Sequence, residues 1–504
     1  MSGWVGFNTA VSGLLASQKN LYTTNHNIGN SATEGYSRQK NTQESRSPLS
    51  IPGVGFLGAG TDITDINRVR DSYLDFKLWG ENGPKAGWNI KEETLTEVEN
   101  IFNEPSENSI RKNLDEFFTA LESLSTNPSD YSYRALVQEK AVAVTKYFNT
   151  TSEKLYGTQK ELNFQVYTKV KQVNDLSSRI RGLNEEIYKI EINGSKANDL
   201  RDKRDLLVDD LSEIVNINAT EVNGKFKVHI GGMTLVDHTS NNQFKYPPNF
   251  KENPHNPKEK LYLVEWENGN PVNLKSGELK GLLETRDENG AGNTYRGVPY
   301  YMDRLNDFAE KFVLRMNEIH SKGYTLDGES GVFMFTIDGR PTSDFTDLNS
   351  LVGEVTAFNI SLSKDILGDL DKIAASDIEV DVTDGDPNND LLENNNIIKE
   401  LIAARDNNTF FDDTIPQGTP DDFLKSILSS LAVDGQQAQR MNKNQSVIVD
   451  NIKLRRESES GVSIDEEMSN MVKFQHSYNA SARMISTIDA IYDVTINRLG
   501  LVGR

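Results

Sequence analysis

The side chains best suited to hold a metal ion lie in the acidic turn DGDPNND, residues 384–390. Oxygen-bearing side chains alternate there as they do at the start of an EF-hand calcium loop: Asp384, Asp386, Asn388 and Asp390. Asn389 occupies the sixth position, where such a loop needs glycine, and Asn395 the twelfth, where it needs glutamate. Because carboxylate-rich turns are common without metal, a solvated turn is favoured over a calcium site.

Other chemistry-bearing residues form no recognisable site. The six histidines are scattered, without the spacing of a zinc site: His26, His229, His238, His255, His320 and His476. Gly53, Gly55 and Gly58 spell the G-x-G-x-x-G of dinucleotide-binding proteins, but neither a buried strand before them nor a helix after them is predicted. Neither a phosphate-binding lysine loop nor a serine nucleophile elbow is present. We therefore predict no cofactor and no enzymatic activity.

Composition limits the partner classes. A chain of 504 residues exceeds one core and predicts several domains. Its formal net charge of -21 disfavours nucleic acid or an anionic membrane as partner. There is no cysteine, which excludes disulfides and thiolate sites. Neither an apolar run long enough to insert into a membrane nor a cleavable secretion signal is expected from the sequence.

The C-terminal stretch predicts a long helix with one apolar seam. Residues recur there at alternating steps of four and three: Ile464, Met468, Met471, Gln475, Tyr478, Ala482, Ile485, Asp489, Tyr492, Ile496 and Leu499. Ser463 and Glu466 have the spacing of a capping box, which marks the start of the helix. A single helix cannot bury such a seam on itself, so it needs a partner helix.

The N-terminus offers that partner. The same rhythm runs through Phe7, Val11, Leu14, Gln18, Leu21, Asn25 and Ile28. We predict that the two ends pair as an antiparallel coiled coil, with register set by polar interruptions at Gln18, Asn25, Gln475 and Asp489. The pattern alone favours a more ordinary alternative, a helix pair that caps the core of one domain.

Between the two ends, helical and strand-like patterns alternate. Helices are predicted, with breaks, over 70–215, with the longest over 155–192, and again over 279–322, 391–404 and 423–456. Strands are predicted within 61–69, 217–275 and 333–384, and a long exposed loop over 241–260. The fold class is therefore mainly α with inserted β.

These patterns predict three nested, discontinuous domains. Residues 1–69 and 460–504 would form the terminal coiled coil with its connector. Residues 70–216, 278–332 and 391–459 would form an elongated helical bundle. Residues 217–277 and 333–390 would join in one exposed β-rich domain.

Residue identities at both ends resemble a known family. The N-terminal motif includes Gly13, Asn27, Asn30, Gly35, Tyr36, Arg38 and Gln39, and the C-terminal motif Ser460, Gly461, Val462, Asp465 and Glu466. Together they resemble the bacterial flagellar axial proteins, which comprise rod, hook and hook-associated subunits. The segments 101–107, 198–215 and 276–287 resemble the same family. Within it, GYSRQ at 35–39 is similar to subunits of the hook-filament junction, whereas the hook protein usually has GYK there.

The resemblance implies a structural, extracellular subunit of the flagellum at the junction between hook and filament, secreted through the flagellar type III export apparatus. Implied partners are further copies of the chain, the hook protein, a second junction protein on the filament side, and an export chaperone on the C-terminal helix. The seam residues would form the assembly interface, with the terminal helices disordered in the monomer and ordered in the polymer. Alternatives are another axial subunit, or a surface adhesin that uses the β-rich domain.

Overall fold

The computed structural model of the chain describes residues 2–51, 55–102, 109–379, 393–408 and 418–498. Most of these residues are helical, and the strands form small antiparallel sheets, as the predicted fold class requires. The acidic turn 384–390 and Leu499 lie outside the described residues. Among the described residues, no helix is both long and apolar enough to cross a membrane.

The N-terminal region is a helix packed on a β ribbon. Helix α1 (Ser2–Gly29) is followed by β1 (Gln39–Ser45), which pairs with β4 (Thr61–Arg68), and by the short pair β2 (Leu49–Ile51) and β3 (Gly55–Leu57). The Thr61 amide donates to Ser12 Oγ (3.1 Å), which ties the ribbon to α1. Strand β4, rather than a helix, follows Gly58, so the glycine motif lacks the context of a nucleotide site.

Four helices come next: α2 (Ser72–Phe102), α3 (Ile110–Thr126), α4 (Tyr131–Glu191) and α5 (Asn198–Ile214). Helix α4 has 61 residues and begins 24 residues before the predicted start at Leu155. The Asp130 carboxylate caps its first turn by accepting from the Ser132 amide (2.7 Å). The prediction was too short because buried residues such as Phe148 and Thr151 continue the helix through a polar stretch.

Helices α6 (Glu278–Asp287) and α7 (Val298–His320) complete this part of the bundle, with a break where one continuous helical region was predicted. Aromatic rings from several helices meet in the core, and the Phe312 ring centroid lies 6.2 Å from that of Phe117 and 5.3 Å from that of Phe335. The residues predicted to form the buried side of α7 are all buried: Met302, Leu305, Phe308, Phe312, Met316 and Ile319.

The first strand-rich stretch packs against α4. Strands β5 (Asn218–Val222), β6 (Lys225–Ile230), β7 (Met233–Asp237) and β8 (Ser240–Asn241) form one antiparallel sheet, and β9 (Phe250–Glu252) pairs with β10 (Lys260–Tyr262). The predicted exposed loop over 241–260 is largely exposed and irregular, but it also contains β9 and buries Phe244 and Asn253. The Asn174 side chain of α4 donates to the Phe244 carbonyl and accepts from the Phe244 amide (2.8 Å each). Both backbone polar groups of this buried residue are therefore hydrogen-bonded.

The second stretch contains few strands. It has β11 (Phe335–Ile337) paired with β12 (Ile360–Leu362) and the short helix α8 (Lys364–Gly368), so most of the predicted strand content over 355–379 is absent. Asn149 of α4 bonds the carbonyl of Ile360 (3.0 Å), whereas the first stretch contacts α4 farther along, at Asn163 and Asn174. These separate sheets do not support one common β-rich unit, and the division into domains stays a prediction.

The chain returns through α9 (Asn396–Ala403), α10 (Pro420–Ser460) and α11 (Ile464–Asp493). A capping box between Thr419 and Asp422 starts α10, which packs along α2. Ser463 caps α11 by accepting from the Glu466 amide (3.4 Å), as predicted. Among the described hydrogen bonds, the second half of the predicted box is missing, because the Glu466 carboxylate accepts from Arg38 instead (2.8 Å).

Candidate assembly interface

The first and last helices, α1 and α11, pair along their length. Gly6 lies beside Ile488 and Gly13 beside Ser481, so the two helices run antiparallel. A Cβ added at Gly13 would lie 3.1 Å from Ser481 Oγ, and one at Gly6 would lie 3.8 Å from Ile488 Cδ1. The small residues of α1 therefore let the helix backbones approach closely.

The contact face of α11 differs from the predicted seam at Gln475 and Asp489. Half-buried residues there recur as Met471, Phe474, Tyr478, Ser481, Ile485, Ile488 and Tyr492, together with the predicted Ala482. The predicted Gln475 and Asp489 are exposed, so their placement in the seam inside the chain was wrong. The apolar residues just before them, Phe474 and Ile488, are half-buried instead, and Ile488 lies beside Gly6 of α1.

Helix α1 shows the same difference. The predicted apolar residues Phe7, Val11, Leu14, Leu21 and Ile28 are half-buried, whereas Gln18 and Asn25 are exposed. Ser17 and Thr24, one position earlier, are buried. The polar interruptions do not set the register within the chain, and a role against a neighbouring copy stays a prediction.

Several apolar side chains of this helix pair face solvent. On α11 the predicted Ile464 and Met468 are exposed, as are Val472, Met484 and Ile491, and the predicted Ile496 just beyond the helix is 74 % exposed. On α1, Trp4, Leu15 and Tyr22 are exposed. Glu467 is the one residue of α11 that is fully buried among those described. The pair thus leaves much apolar surface uncovered.

The N-terminal motif builds a hydrogen-bonded corner after α1. The Tyr36 hydroxyl donates to Asn27 Oδ1 (2.8 Å) and lies 2.9 Å from His26 Nδ1. Asn27 also accepts from the Gln39 amide (3.0 Å) and donates to the Gln39 carbonyl (2.9 Å). Burial, with the nearby carboxylates of Asp199 and Asp202, raises the pKa of Tyr36, so its hydroxyl remains a donor.

The remaining motif residues surround this corner. Gly35 has φ +76° and a Cβ there would lie 3.2 Å from Leu206 Cβ, which explains the need for glycine. The Arg38 amide donates to the Ser460 carbonyl (2.8 Å), and Ser460 is buried. Asn30 bonds back to the His26 carbonyl (2.9 Å). Gly461 and Val462 are half-buried, and Asp465 is exposed in the first turn of α11.

A buried charge cluster beneath the corner was missed by sequence reasoning. Arg68 bonds both Asp202 (2.7 Å) and Asp205 (2.9 Å) of α5, and Asp202 also accepts from the Ser37 amide (2.9 Å). Arg70 forms a bidentate ion pair with the Asp75 carboxylate (2.7 and 3.0 Å). The signal lay in 198–210, where acidic residues recur every three or four positions and so share one helix face.

The same helix face contacts α10. The Asp209 carboxylate accepts from Arg456 (2.8 Å) and from the Trp79 indole (2.7 Å). Burial alone would raise the pKa of Asp205, but Arg204, Arg70 and Arg68 outweigh it and lower the value to about 2. The arrangement holds the terminal helices, the β ribbon and the bundle together. Within the described residues it contains no set of side chains suited to a metal ion.

Comparison with known proteins points to one family. A model of the flagellar hook-associated protein FlgK helical domain matches residues 95–335, and one of the flagellar basal body rod FlgEFG protein C-terminal matches residues 456–499. Flagellar hook-associated protein 1 of Bacillus subtilis is 28% identical over 525 residues, covering 100% of both chains. The Salmonella typhimurium protein of that name is 25% identical over 563 residues, covering 97% of this chain and 99% of its own.

A solved structure agrees in fold. The flagellar hook junction protein FlgK from Burkholderia pseudomallei superimposes with a TM-score of 0.61 at 14% identity, covering 77% of this chain and 100% of its own. The helical-domain model covers much of the bundle, and the separate basal body rod model covers the last helix. Over its full length, the chain is therefore similar to flagellar hook-associated protein 1.

Proposed function

We propose that this chain is a structural subunit of the junction between hook and filament, and that it polymerises through α1 and α11. The observation that carries the proposal is the apolar surface left open on the paired helices, including Trp4, Met468 and Ile491. Burying apolar surface contributes about 25 cal/mol per Å². Contacts with the same helices of neighbouring copies would therefore stabilise a pair that buries little on its own.

The proposal extends to place and partners. The subunit would leave the cell through the flagellar export apparatus, escorted by a chaperone bound to α11, and would meet the hook protein on one side and a second junction protein on the other. Support comes from the names of the relatives and from the exposed α11, which a chaperone could reach. An adhesin role for the strand-rich stretches has no comparable support. Antibody labelling along intact flagella would distinguish a subunit of the junction from a subunit at another position along the flagellar axis.

The test places one charge on the exposed surface of α11. Val472 is 50 % exposed on α11, and Val433 is 58 % exposed on α10, so Val472→Asp and Val433→Asp are matched changes in two long helices. Because a charge buried between copies is strongly unfavourable, we expect Val472→Asp to abolish incorporation into flagella and motility. The Val433→Asp variant should retain both.

Expression, secretion and helix content of each free variant are measured as controls. Exposed sites tolerate such a change, so both variants should fold alike. If the Val472→Asp subunit is secreted and still enters the junction with normal motility, polymerisation through α11 is refuted.

A further inference from the structure

The far end of the β ribbon is an exposed, apolar strand pair, β2 and β3, which we call the ribbon tip. Phe56 on β3 is 76 % exposed, the largest exposed fraction among the large apolar side chains described. Leu49, on the opposite face of the strand pair, is 46 % exposed, so neither face is fully covered. Residues 47–61 contain no charged side chain, although 26% of the chain is charged. This composition is typical of the centre of a protein interface rather than of free surface.

The ribbon is fixed along one face of α1, the face that carries Asn20 and Thr23. The Asn41 side chain donates to Asn20 Oδ1 (2.8 Å), and the Thr23 hydroxyl donates to Asn41 Oδ1 (3.0 Å). Closer to the tip, Gly60 has φ +97°, and a Cβ there would lie 3.2 Å from Thr9 Cα. The ribbon is therefore bound to this one face of its own helix α1.

Helix α1 has two further faces. The face of Gly6 and Gly13 packs against α11. The remaining face, which we call the open face, carries three exposed apolar side chains: Trp4, Leu15 and Tyr22. Their spacing of about three and about two helical turns places them in one line along the helix, with about 27 Å between the first and the last. Neither the ribbon nor α11 of the same chain covers this line.

The ribbon tip and the open face suit each other. Both are apolar, and α1 contains a single Asp, Glu, Lys or Arg residue, Lys19, whereas the tip contains none. Joining the two surfaces therefore removes hardly any charge from water. Copies of a chain with a net charge of -21 repel one another, and two uncharged surfaces are places where copies can approach without bringing like charges together.

We propose that the ribbon tip of one copy packs Phe56 against the open face of α1 in a second copy of this chain. The inference rests on the proposed function, because polymerisation brings the copies together, and it adds to the α11 contact a separate one between tip and α1. Within one chain the ribbon holds the tip to a different face of α1, so the open face is left for another copy. The contact joins unlike surfaces, so each copy gives a tip and receives one, as a ring or tube of subunits requires.

The first test places one charge on the ribbon tip. Phe56 is exposed, so the free Phe56→Asp chain should fold and be secreted like the parent. We expect this variant to be lost from flagella, with loss of motility, because the charge would be buried between copies. The matched control is Thr64→Asp at an exposed position of β4 away from the tip, which should assemble normally.

Comparison with Val472→Asp keeps the two proposals apart. If Val472→Asp fails to assemble while Phe56→Asp is secreted, assembles and supports normal motility, the inference is overturned and the proposed function stands. If Val472→Asp itself assembles, the proposed function fails separately.

A second test identifies what the tip contacts. The chain has no cysteine, so Ser50→Cys, at the cross-strand partner of Phe56, and Lys19→Cys, one helical turn from both Leu15 and Tyr22, each supply a unique thiol. Cells express both variants together, and their flagella are treated with a flexible bismaleimide. We expect covalent dimers in which mass spectrometry finds position 50 of one copy linked to position 19 of another.

The control for this test replaces Lys19→Cys with Val433→Cys on α10, which is exposed and should give no such dimers. Flagella that contain both the Ser50→Cys and Lys19→Cys variants but yield no more dimer than this control would overturn the inference. Links from Ser50→Cys to a different flagellar protein alone would show that the occupant is not a second copy.

Discussion

At the scale of single residues, the junction between terminal helices and bundle depends on charges taken out of water. Asp205 is 4 % exposed, and the guanidinium groups of Arg68, Arg70 and Arg204 surround it. Isolated burial of so many charges would be costly, but each is compensated by a partner of opposite sign. Removing one charged partner should therefore destabilise the fold by more than the net contribution of any single ion pair to its stability.

We expect Asp205→Asn to lower the free energy of unfolding by about 3 kcal/mol, because Arg68, Arg70 and Arg204 each lose one carboxylate partner inside the fold. The matched control is Asp62→Asn, which breaks an exposed pair with Arg46 and should cost about 0–1 kcal/mol. Urea unfolding at pH 7, followed by circular dichroism, measures both. Equal losses in the two variants would show that the cluster adds no stability beyond that of an exposed pair.

His320 predicts a pH dependence. It is fully buried, Nδ1 lies 2.8 Å from the Val332 carbonyl, and Nε2 accepts from the Ala374 amide (2.9 Å), so the ring is neutral. Burial lowers its pKa to about 4 from an ordinary value of 6.5. The unfolded chain therefore binds the proton first, and stability falls as the pH drops from 6.5 towards 4.

From these two pKa values, we expect His320 to account for a loss of about 2 kcal/mol between pH 7 and pH 5. His320→Gln should be less stable at pH 7 but should lose less on acidification. Urea unfolding at both pH values gives the difference. An identical pH dependence in the variant and the parent would rule out His320 as the titrating group.

At the scale of elements, α2 and α6 meet through their backbones. A Cβ at Gly281 would lie 2.8 Å from the Gly87 carbonyl oxygen, and the Gly277 amide donates to the Gly83 carbonyl (3.1 Å). Pro84 lies within α2 at this contact and leaves one backbone carbonyl without its helical donor. The segment 276–287, noted for its family resemblance, is thus a place where two backbones of the bundle approach closely.

We expect Gly281→Ala to destabilise the bundle by about 1–3 kcal/mol, because the added methyl group must displace backbone. Gly157→Ala on α4 meets nothing within 4 Å and should stabilise by about 0.5–1 kcal/mol, since alanine favours a helix. Thermal unfolding compares the two. A stabilising Gly281→Ala would contradict the close packing of α2 on α6.

The helix pair shows how far sequence periodicity reaches. The four-three rhythm identified both helices, because apolar spacing depends only on helix geometry. The predicted seam was off by one position at Gln475 and Asp489, where Phe474 and Ile488 are half-buried instead. Both versions of the seam include Met471 and Tyr478, so the rhythm could not distinguish them. The close packing at Gly6 and Gly13 of α1 decides between the two. The buried cluster at Asp205 was missed because its arginines come from distant segments.

At the scale of the whole molecule, the first and last helices pair into one element that buries few apolar side chains. Hydrogen bonds join the first helix to the β ribbon and the last helix to Arg38. Among the described residues, Ala16 is the one buried apolar residue of α1, and Glu467 is the one buried residue of α11. Segments with few buried apolar contacts open at low free energy. Neighbouring copies would supply the missing contacts, so folding of the ends and assembly would be coupled.

This coupling predicts a gain of helix on polymerisation. Helices α1 and α11 contain 28 and 30 residues, roughly one-ninth of the chain, so circular dichroism of the polymer should exceed that of the dilute free chain by up to that fraction. The Val472→Asp variant, which should not polymerise, serves as control and should show no gain at any concentration. If the free chain already has the helix content of the polymer, the ends are ordered before assembly. Subunits would then join as rigid bodies. Burial of the exposed apolar residues of α11 would stabilise the contact between copies, and none of that free energy would be needed to order the terminal helices.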